Sequence, residues 1–152
     1  MNIEVSQVEE SDKEVWETLY REYADFYKMP VEKSTLDTVW KWIQSDGEEF
    51  FCIVARDQNK EPVGFMHYRS MPSPLRGCKV GFLDDLYVAP DSRGTGVVEA
   101  LFKALDIKAQ EQGWPFVRWL TADDNVRAQA VYRKLSDRTK WVTYQLNAGT
   151  VV

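Results

Sequence analysis

Residues Phe82–Gly113 read FLDDLYVAPDSRGTGVVEALFKALDIKAQEQG. The first seven are mostly apolar and stop before Ala89-Pro90, which is typical of a strand buried on both faces of a sheet. Asp84 and Asp85 interrupt this strand. Because side chains alternate along a strand, we expect the two carboxylates to lie on opposite faces. A carboxylate carried into the interior needs a partner, a proton or a water-filled pocket, so this pair is a candidate for chemistry.

The second half of the stretch predicts a glycine turn that opens an amphipathic helix. Apolar residues recur every four positions from Val97 to Ala109, and Gly113 is placed to end the helix. The turn before the helix holds Arg93 and two glycines. Such a turn leaves backbone N–H groups unpaired, and the helix dipole adds positive potential beside them. Residues 93–98 therefore predict an anion site suited to phosphate or pyrophosphate.

Two commoner phosphate-binding loops do not fit this turn. A Walker A loop requires Lys and then Ser or Thr after its second glycine, whereas Val97 and Val98 follow Gly96. A dinucleotide fingerprint requires a third glycine where this chain has Glu99. A tight strand-to-helix turn without a ligand is therefore the alternative for the turn taken alone.

Residues 86–98 resemble the acyl-CoA signature of the GNAT superfamily of N-acetyltransferases. The family pattern, Arg/Gln-x-x-Gly-x-Gly/Ala, is carried by Arg93, Gly96 and Val98. Valine departs from the family's final glycine or alanine, so we expect the helix to lie slightly farther from the phosphates. The residues that the resemblance implies for acetyl-CoA binding are Leu86, Tyr87, Val88, Arg93, Gly94, Thr95, Gly96, Val97, Val98, Asn125 and Tyr132.

A second segment, from Asn125 to Tyr132, resembles the family's Asn-x-x-Ala-x-x-x-Tyr helix. The resemblance covers about Pro62 to Leu146. Residues 82–86 are most similar to the diamine and polyamine acetyltransferase branch, in which Leu-Glu-Asp-Leu/Phe is usual. Ser136-Asp137 stands where the family usually has Gly-Phe, so we expect simplified last strands.

The length of the chain predicts one domain, residues 1–152, and the resemblance implies that it has an α/β fold of GNAT type. It consists of a central, mixed but mostly antiparallel twisted sheet, a splayed parallel strand pair and helices on both faces. The predicted strands are Ile3–Val8, Phe50–Arg56, Pro62–Tyr68, Cys78–Val88, Phe116–Thr121 and Trp141–Leu146, with Ser70–Gly77 as an exposed loop. The predicted helices begin at a capping box, Ser11–Glu14, and at Ser34, and a further one covers residues 126–135.

Acetyl transfer from a thioester to an amine requires a base, an N–H donor for the oxyanion and an acid for the leaving thiolate. The resemblance implies that Tyr132 is the acid and that the Val88 N–H is the oxyanion donor. It places Asp84 where the polyamine branch carries its basic glutamate, and Asp85 is the alternative working carboxylate. His67 is either a proton relay near the site or an ordinary edge histidine.

The acceptor site is expected at the helix pair between residues 12 and 44, which the resemblance implies is its wall. Tyr27 and Trp40 lie near the break between these helices and are the predicted contacts, together with Asp84 and Asp85. Core packing is the alternative for the aromatic residues, and Asn125 has the alternative role of a helix cap.

Composition restricts the classes of partner. The 152 residues carry a net charge of −5 and no basic run, which argues against nucleic acid. No apolar run reaches the ~20 residues of a membrane span. Cys52 and Cys78 are interpreted as buried reduced thiols, which favours a cytoplasmic location, and a single histidine gives little support to a metal site. A homodimer is common in the family.

The main hypothesis is an acetyl-CoA-dependent N-acetyltransferase that uses no metal. It moves an acetyl group to a small amine, a polyamine or a lysine-like side chain by direct attack in a ternary complex. The alternative is a GNAT-fold module that binds acyl-CoA without turnover. A third hypothesis is a mononucleotide-binding regulatory domain.

Overall fold

A computed structural model of the chain describes residues 2–150. Five strands form one sheet in the order β1-β2-β3-β4-β5. The four pairings are antiparallel except for β4 and β5, which are parallel, so the predicted mixed sheet is confirmed. The strands are β1 (Glu4–Gln7), β2 (Phe50–Arg56), β3 (Pro62–Ser73), β4 (Cys78–Val88) and β5 (Val117–Arg118).

The helices are α1 (Lys13–Phe26), α2 (Lys33–Gln44), α3 (Val97–Gln112) and α4 (Val126–Leu135). Helices α1 and α2 lie on one face of the sheet and α3 lies on the other, as predicted. Side chains of α1 and α2, such as Trp16 and Leu36, share one core with Phe65 of β3. Leu101 of α3 shares the other core with Met66, the next residue of β3. Strand alternation therefore sends neighbouring residues of β3 into two separate cores.

The chain separates into two compact units, Met1–Leu120 and Thr121–Val152. The sheet and α1 to α3 belong to the first unit, and α4 belongs to the second. The single-domain assignment stays a prediction. No helix within residues 2–150 is both long and apolar enough to cross a membrane.

Several predicted boundaries agree with the structure. Strands β2 and β4 and helix α4 have the predicted bounds. Helix α3 ends at Gln112, and the next residue, Gly113, has a φ of +74° in the left-handed region, as expected for a glycine that terminates a helix. The bounds of these elements are predictable because turn residues or glycines flank each one.

The two predicted helix caps are wrong. The Glu9 N–H donates to Asp12 Oδ2 at 2.7 Å, so the side-chain cap lies one turn before α1 and not at Ser11. Asp12 also binds the Arg56 guanidinium through both carboxylate oxygens, and this buried ion pair ties the start of α1 to β2. Helix α2 begins at Lys33 after Glu32, so Ser34 lies within its first turn.

The predicted loop at Ser70–Gly77 is wrong in its first half. Strand β3 continues to Ser73 and pairs with β4 as far as Cys78, so the turn is confined to residues 74–77. The pairing of β3 with β2 stops at Arg69, which is opposite Phe50. Pro72 lies beyond this point, so its missing N–H costs little at the unpaired edge of β3. Cys78 is exposed, which corrects the prediction that both cysteines are buried.

The predicted strand Trp141–Leu146 is also wrong. This segment has no regular secondary structure, and the side chains of Trp141 and Tyr144 are exposed. The described residues of the unit Thr121–Val152 contain no strand, so the alternating pattern has no partner within that unit. The strand predicted at Phe116–Thr121 is shorter than expected, because only Val117 and Arg118 pair with β4.

Gly81 lies at a crowded point of β4, where the strand pairs with β5 and contacts Trp114, which follows α3. A Cβ atom at this position would lie 2.6 Å from Trp114 Cε3 and 2.9 Å from Val117 Cγ2. We expect Gly81→Ala to lower the free energy of unfolding by ~1–3 kcal/mol, because the added methyl group overpacks a filled site. Gly47→Ala is the matched control, since its Cβ would meet nothing closer than 4.0 Å. Equal urea midpoints for the two variants would contradict this packing.

Candidate active site

A β-bulge in β4 brings the two carboxylates together. His67 is opposite Asp85 and Tyr68 is opposite Leu83, so Asp84 is the extra residue of the bulge. An extra residue changes which face the following side chains occupy, and both carboxylates border the same cavity. The prediction that they lie on opposite faces is therefore wrong, because simple alternation does not hold across a bulge.

The cavity has a volume of about 450 Å³ and lies entirely within the first unit. That volume is in the range of sites for small molecules. Its lining combines three carboxylates, one guanidinium and three aromatic rings. The lining residues are Tyr20, Val39, Trp42, Glu48, Phe50, Arg69, Asp84 and Asp85.

Asp84 is a carboxylate that is poised to accept a proton. Its Oδ1 lies 3.1 Å from Arg69 Nη2, whereas its Oδ2 is buried and has no hydrogen-bond partner among residues 2–150. Burial raises the pKa of the Asp84 carboxyl; the Arg69 charge opposes this rise and the Asp85 charge adds to it. A buried oxygen without a partner, in a group whose charged form is disfavoured, is suited to general-base chemistry.

Asp85 has the opposite environment, because its oxygens interact with several donors. His67 Nδ1 lies 2.8 Å from Asp85 Oδ2. The phenols of Tyr20 and Tyr23 also interact with this carboxylate, and burial together with the Asp85 charge raises the pKa of both phenols. His67 is fully buried in β3, which has neighbours on both sides, so the expectation of an edge histidine is wrong.

The glycine turn has the geometry of an anion site. Gly94 and Gly96 have φ values of +76° and +89°, and an ideal Cβ at either position would meet nothing within 4 Å. The first helical backbone bond runs from the Ala100 N–H to the Gly96 carbonyl, so the amides of residues 96–99 have no partner within α3. These donors fit a phosphate group, and the left-handed glycines leave open space beside them.

The Arg93 side chain folds back from this turn onto the end of β4. Its Nε donates to the Val88 carbonyl at 3.1 Å, and its guanidinium lies 5.7 Å from the centre of the Tyr87 ring. The side chain therefore fixes the turn to the end of β4. Val98 is half-buried and packs against the core around α3, and this contact accounts for a valine at that position.

Within residues 2–150, the outer edge of β4 has no strand partner near the carboxylates. Pairing between β4 and β5 is confined to Gly81 and Phe82. The Ala89 N–H donates to the Val63 carbonyl, which makes Val88 and its opposite residue Gly64 a non-hydrogen-bonded pair. In such a pair the N–H groups point away from the partner strand. The Val88 N–H therefore points away from β3, toward the side where β4 has no strand partner.

Comparison with known proteins identifies the family. A model of the acetyltransferase (GNAT) family matches residues 16–136. The chain belongs to the GNAT family of acetyltransferases. D-amino-acid N-acetyltransferase HPA3 of Saccharomyces cerevisiae is 32% identical to it over 147 residues, which make up 95% of this chain and 91% of that protein.

Solved structures of GNAT proteins share the fold. A ribosomal-protein-alanine N-acetyltransferase from Brucella melitensis biovar Abortus 2308 superposes with a TM-score of 0.79, at 24% identity, covering 97% of this chain and 100% of that one. AAC(6')-Iy in complex with the bisubstrate analogue CoA-S-monomethyl-acetylneamine gives a TM-score of 0.81, at 20% identity, covering 97% and 99%. These similarities do not single out the diamine and polyamine branch, which stays a prediction.

The second GNAT segment lies in the second unit. Asn125 precedes α4 and its Oδ1 accepts a hydrogen bond from the Ala128 N–H at 3.2 Å, so it is a helix cap. Tyr132 lies in the last turns of α4, where its carbonyl accepts a hydrogen bond from Ser136 Oγ. The binding role of Asn125 and the catalytic role of Tyr132 stay predictions.

The two predicted aromatic contacts of the acceptor do not border the cavity. Trp40 is 8% exposed and packs against Trp16, with ring centres 5.0 Å apart. Tyr27 follows the end of α1 and is half-exposed beside Tyr23. Their roles in binding stay predictions, without support from the cavity lining.

Six lining residues were not predicted from the sequence. Val39 and Phe50 were interpreted only as parts of apolar patterns, and Trp42 was not singled out, although an aromatic residue beside an apolar stripe is a weak sign of a pocket wall. Arg69 is a charge directly after an apolar strand, and this is the clearest signal that was available. The unpredicted residues are Tyr20, Val39, Trp42, Glu48, Phe50 and Arg69.

Proposed function

We propose that this GNAT acetyltransferase is an acetyl-CoA-dependent N-acetyltransferase that acetylates a small primary amine in the cavity beside Asp84. The acceptor attacks directly, in a ternary complex with acetyl-CoA. The observation that carries the proposal is the buried Asp84 Oδ2, which has no partner in the described chain and lies in a carboxylate that borders the cavity.

The residues of the glycine turn fit the phosphates of acetyl-CoA. The amides at the start of α3 and the open space around Gly94 and Gly96 support a pyrophosphate at this turn. Acetyl-CoA, when bound, supplies an acetyl group that is activated as a thioester. The unpaired edge of β4 supports the proposed extended contact of Leu86 and Val88 with the acyl-CoA arm.

Asp84 performs the proton transfer that the amine requires. A lysine-like ammonium has a pKa of ~10.4, so it is protonated in neutral solution and cannot attack a carbonyl until it loses a proton. Asp84 accepts that proton, directly or through one water. Its raised pKa brings the carboxyl closer to neutral pH, where general bases work best.

The Val88 N–H and Tyr132 complete the proposed machinery. A backbone N–H at the end of β4 supports stabilisation of the oxyanion, because it is a fixed donor that requires no rearrangement. Tyr132 is proposed as the acid that protonates the leaving thiolate. Its support is the GNAT segment Asn125–Tyr132, together with the general match between a phenol of pKa ~10 and a thiol of pKa ~8.5.

The charges of the cavity favour a cationic acceptor. Three carboxylates face one guanidinium in the lining, so an ammonium group is attracted and an isolated anion is not. Trp42, Phe50 and Val39 provide an apolar wall for the rest of the molecule. The relative named as a D-amino-acid N-acetyltransferase adds D-amino acids to the candidate acceptors, beside polyamines and lysine-like amines. A cytoplasmic location and a homodimer stay predictions.

An acceptor panel tests this proposal. Thiol release from acetyl-CoA is measured with polyamines, lysine peptides, D- and L-amino acids and aminoglycosides. We expect one class of compact amine to exceed the others by ~10²-fold or more in kcat/KM, since a buried ammonium contact and a matched wall each contribute about a factor of ten. If no amine is acetylated while acetyl-CoA raises the melting temperature, the chain is a binding module and the proposal is wrong.

A further inference from the structure

His67 lies at the centre of a buried chain of hydrogen bonds that connects α1 to the cavity. Trp16 Nε1 donates to His67 Nε2 at 2.9 Å, and His67 Nδ1 lies 2.8 Å from Asp85 Oδ2. The side chains of Trp16 and His67 are fully buried, whereas Asp85 is partly exposed and borders the cavity. The chain therefore runs from a dry core to the acceptor site.

The chemistry of the indole determines the state of the histidine. An indole N–H is only a donor, so His67 Nε2 must offer its lone pair to Trp16. The ring is then neutral and carries its proton on Nδ1, which donates to Asp85. A second proton on Nε2 would face the Trp16 N–H without an acceptor, in an environment of packed rings that includes Phe50 and Phe65. His67 is thus a fixed donor and not a proton relay.

Asp85 keeps room for one more donor. A carboxylate has about four acceptor sites, and His67 Nδ1 occupies one of those of Asp85, while the charge of Asp85 also affects the phenols of Tyr20 and Tyr23. Because Asp85 borders the cavity, it can accept a further hydrogen bond from a molecule bound there. Asp84, the neighbouring residue of the bulge, has one oxygen without a partner among residues 2–150.

We propose that Trp16 and His67 are positioning residues that fix Asp85 as a hydrogen-bond acceptor, so that Asp85 binds the acceptor's ammonium group while Asp84 takes its proton. This inference rests on the proposed function of the same site. The proton moves from the acceptor nitrogen to Asp84 Oδ2, and the freed electron pair attacks the thioester carbonyl. The C–S bond then breaks, its electron pair leaves with the thiolate, the thiolate takes a proton from Tyr132, and the second proton of the nitrogen passes to water. Two adjacent carboxylates thereby have two roles, because the donors around them differ.

Side chains from several elements lie around Asp84 and Asp85 and affect their charges. Helix α1 brings Tyr20 and Tyr23, and β3 brings His67 and Arg69. Strand β2 brings Cys52. Burial is the main cause that raises the pKa of its thiol, so the thiol is neutral. The helical turn Asp46–Glu48 brings Glu48, and α2 brings only Val39 and Trp42 to the lining.

The tautomer of His67 tests the proposal without any need for turnover. His67 is the single histidine of the chain, so ¹⁵N-histidine labelling of untagged protein gives signals from one imidazole. We expect the proton on Nδ1 and a bare Nε2 at the pH of the assay, because the Trp16 N–H occupies Nε2. A proton on Nε2 would overturn the proposal.

Trp16→Phe tests the functional consequence. It removes the indole N–H and lets His67 take a second proton, which offsets the Asp85 charge. We expect KM for a cationic acceptor to rise ~10-fold or more, as for loss of one contact to a charged group. The acid limb of kcat/KM should also move to lower pH, because the Asp84 carboxyl loses the repulsion of a neighbouring charge.

Tyr68→Phe is the matched control for Trp16→Phe. Tyr68 is fully buried beside His67 in β3 but belongs to the core around α3, and its hydroxyl has no hydrogen-bond partner in the described chain. We expect it to leave KM and the acid limb unchanged. If folded Trp16→Phe protein matches this control in both measurements, the positioning role is wrong. Failure of the acetyltransferase proposal would instead appear as absent turnover with the His67 tautomer unchanged.

Discussion

Asp84→Asn is expected to lower kcat/KM for the acceptor amine by ~10²–10⁴-fold, which is the usual contribution of a general base. The amide has nearly the same shape as the carboxyl group but cannot accept the proton. The affinity for acetyl-CoA should not change, because the proposed phosphate contacts lie at Gly94 and Gly96, one turn beyond the end of β4. Initial rates and a thermal-shift titration with acetyl-CoA measure the two effects separately.

Stability distinguishes this loss from unfolding. The pKa of the Asp84 carboxyl is raised, chiefly by burial, so its charge opposes folding and the stability it contributes falls as pH rises through that pKa. Asp84→Asn removes this charge, and we expect a melting temperature at neutral pH no lower than that of the wild type. Asp106→Asn, on the exposed side of α3, is the matched control and should leave activity and stability unchanged.

The pH profile of the wild type completes this prediction. Activity should fall as pH decreases through the Asp84 pKa, and this acid limb should lie above the range of an ordinary aspartate, whose pKa is ~3.9. The limb should be absent from the residual activity of Asp84→Asn. If Asp84→Asn retains wild-type kcat/KM, Asp84 is not the base, and Asp85 or a water chain must have that role.

Tyr132→Phe has the second large expected effect. Loss of the phenol that protonates the leaving thiolate should lower kcat by ~10²-fold, with KM for both substrates within a small factor of the wild type. The ring stays in place, so the packing of α4 is retained. Tyr144→Phe is the control, because Tyr144 is 92% exposed and belongs to the same unit.

A leaving group that needs no protonation provides a further check on Tyr132. The deficit should shrink with an acyl donor whose thiol is more acidic, since such a thiolate leaves without an acid. An unchanged kcat in Tyr132→Phe would exclude the acid role and leave the family membership of the chain intact, because that membership depends on residues 16–136 as a whole.

The central strand–turn–helix unit is predictable from sequence because its signals are local. The bounds of β4 follow from an apolar run that ends at Ala89-Pro90, and the end of α3 follows from Gly113. The left-handed backbone of the turn follows from its glycines, whose φ values are positive as their residue type suggests. Each of these features depends on neighbours within a few residues.

The bulge at Asp84 is not predictable in this way, because it arises from the register between β3 and β4. Nothing in the letters of β4 shows that His67 and Tyr68 face residues two apart on that strand. The extension of β3 to Ser73 is unpredictable for the same reason, because it depends on pairing with β4 as far as Cys78. Strand pairing is a long-range property, and local pattern does not fix it.

The candidate site is predictable only in its carboxylates. Asp84 and Asp85 stand out because acids are rare in a buried strand, whereas the rest of the cavity wall comes from five other elements of the first unit. Trp16 and His67 are 51 residues apart, and no local signal connects them. The side chains that differentiate the two acids therefore appear only when the chain is folded.

The most direct test of the account is to quantify both products of one reaction. Purified protein is mixed with acetyl-CoA and the best amine of the panel, and free CoA thiol and N-acetylated amine are measured together by mass spectrometry. We predict equal amounts of the two products, with no thiol released when the amine is omitted. Thiol release without amide formation, or none with any amine from a folded protein that binds acetyl-CoA, would contradict the account.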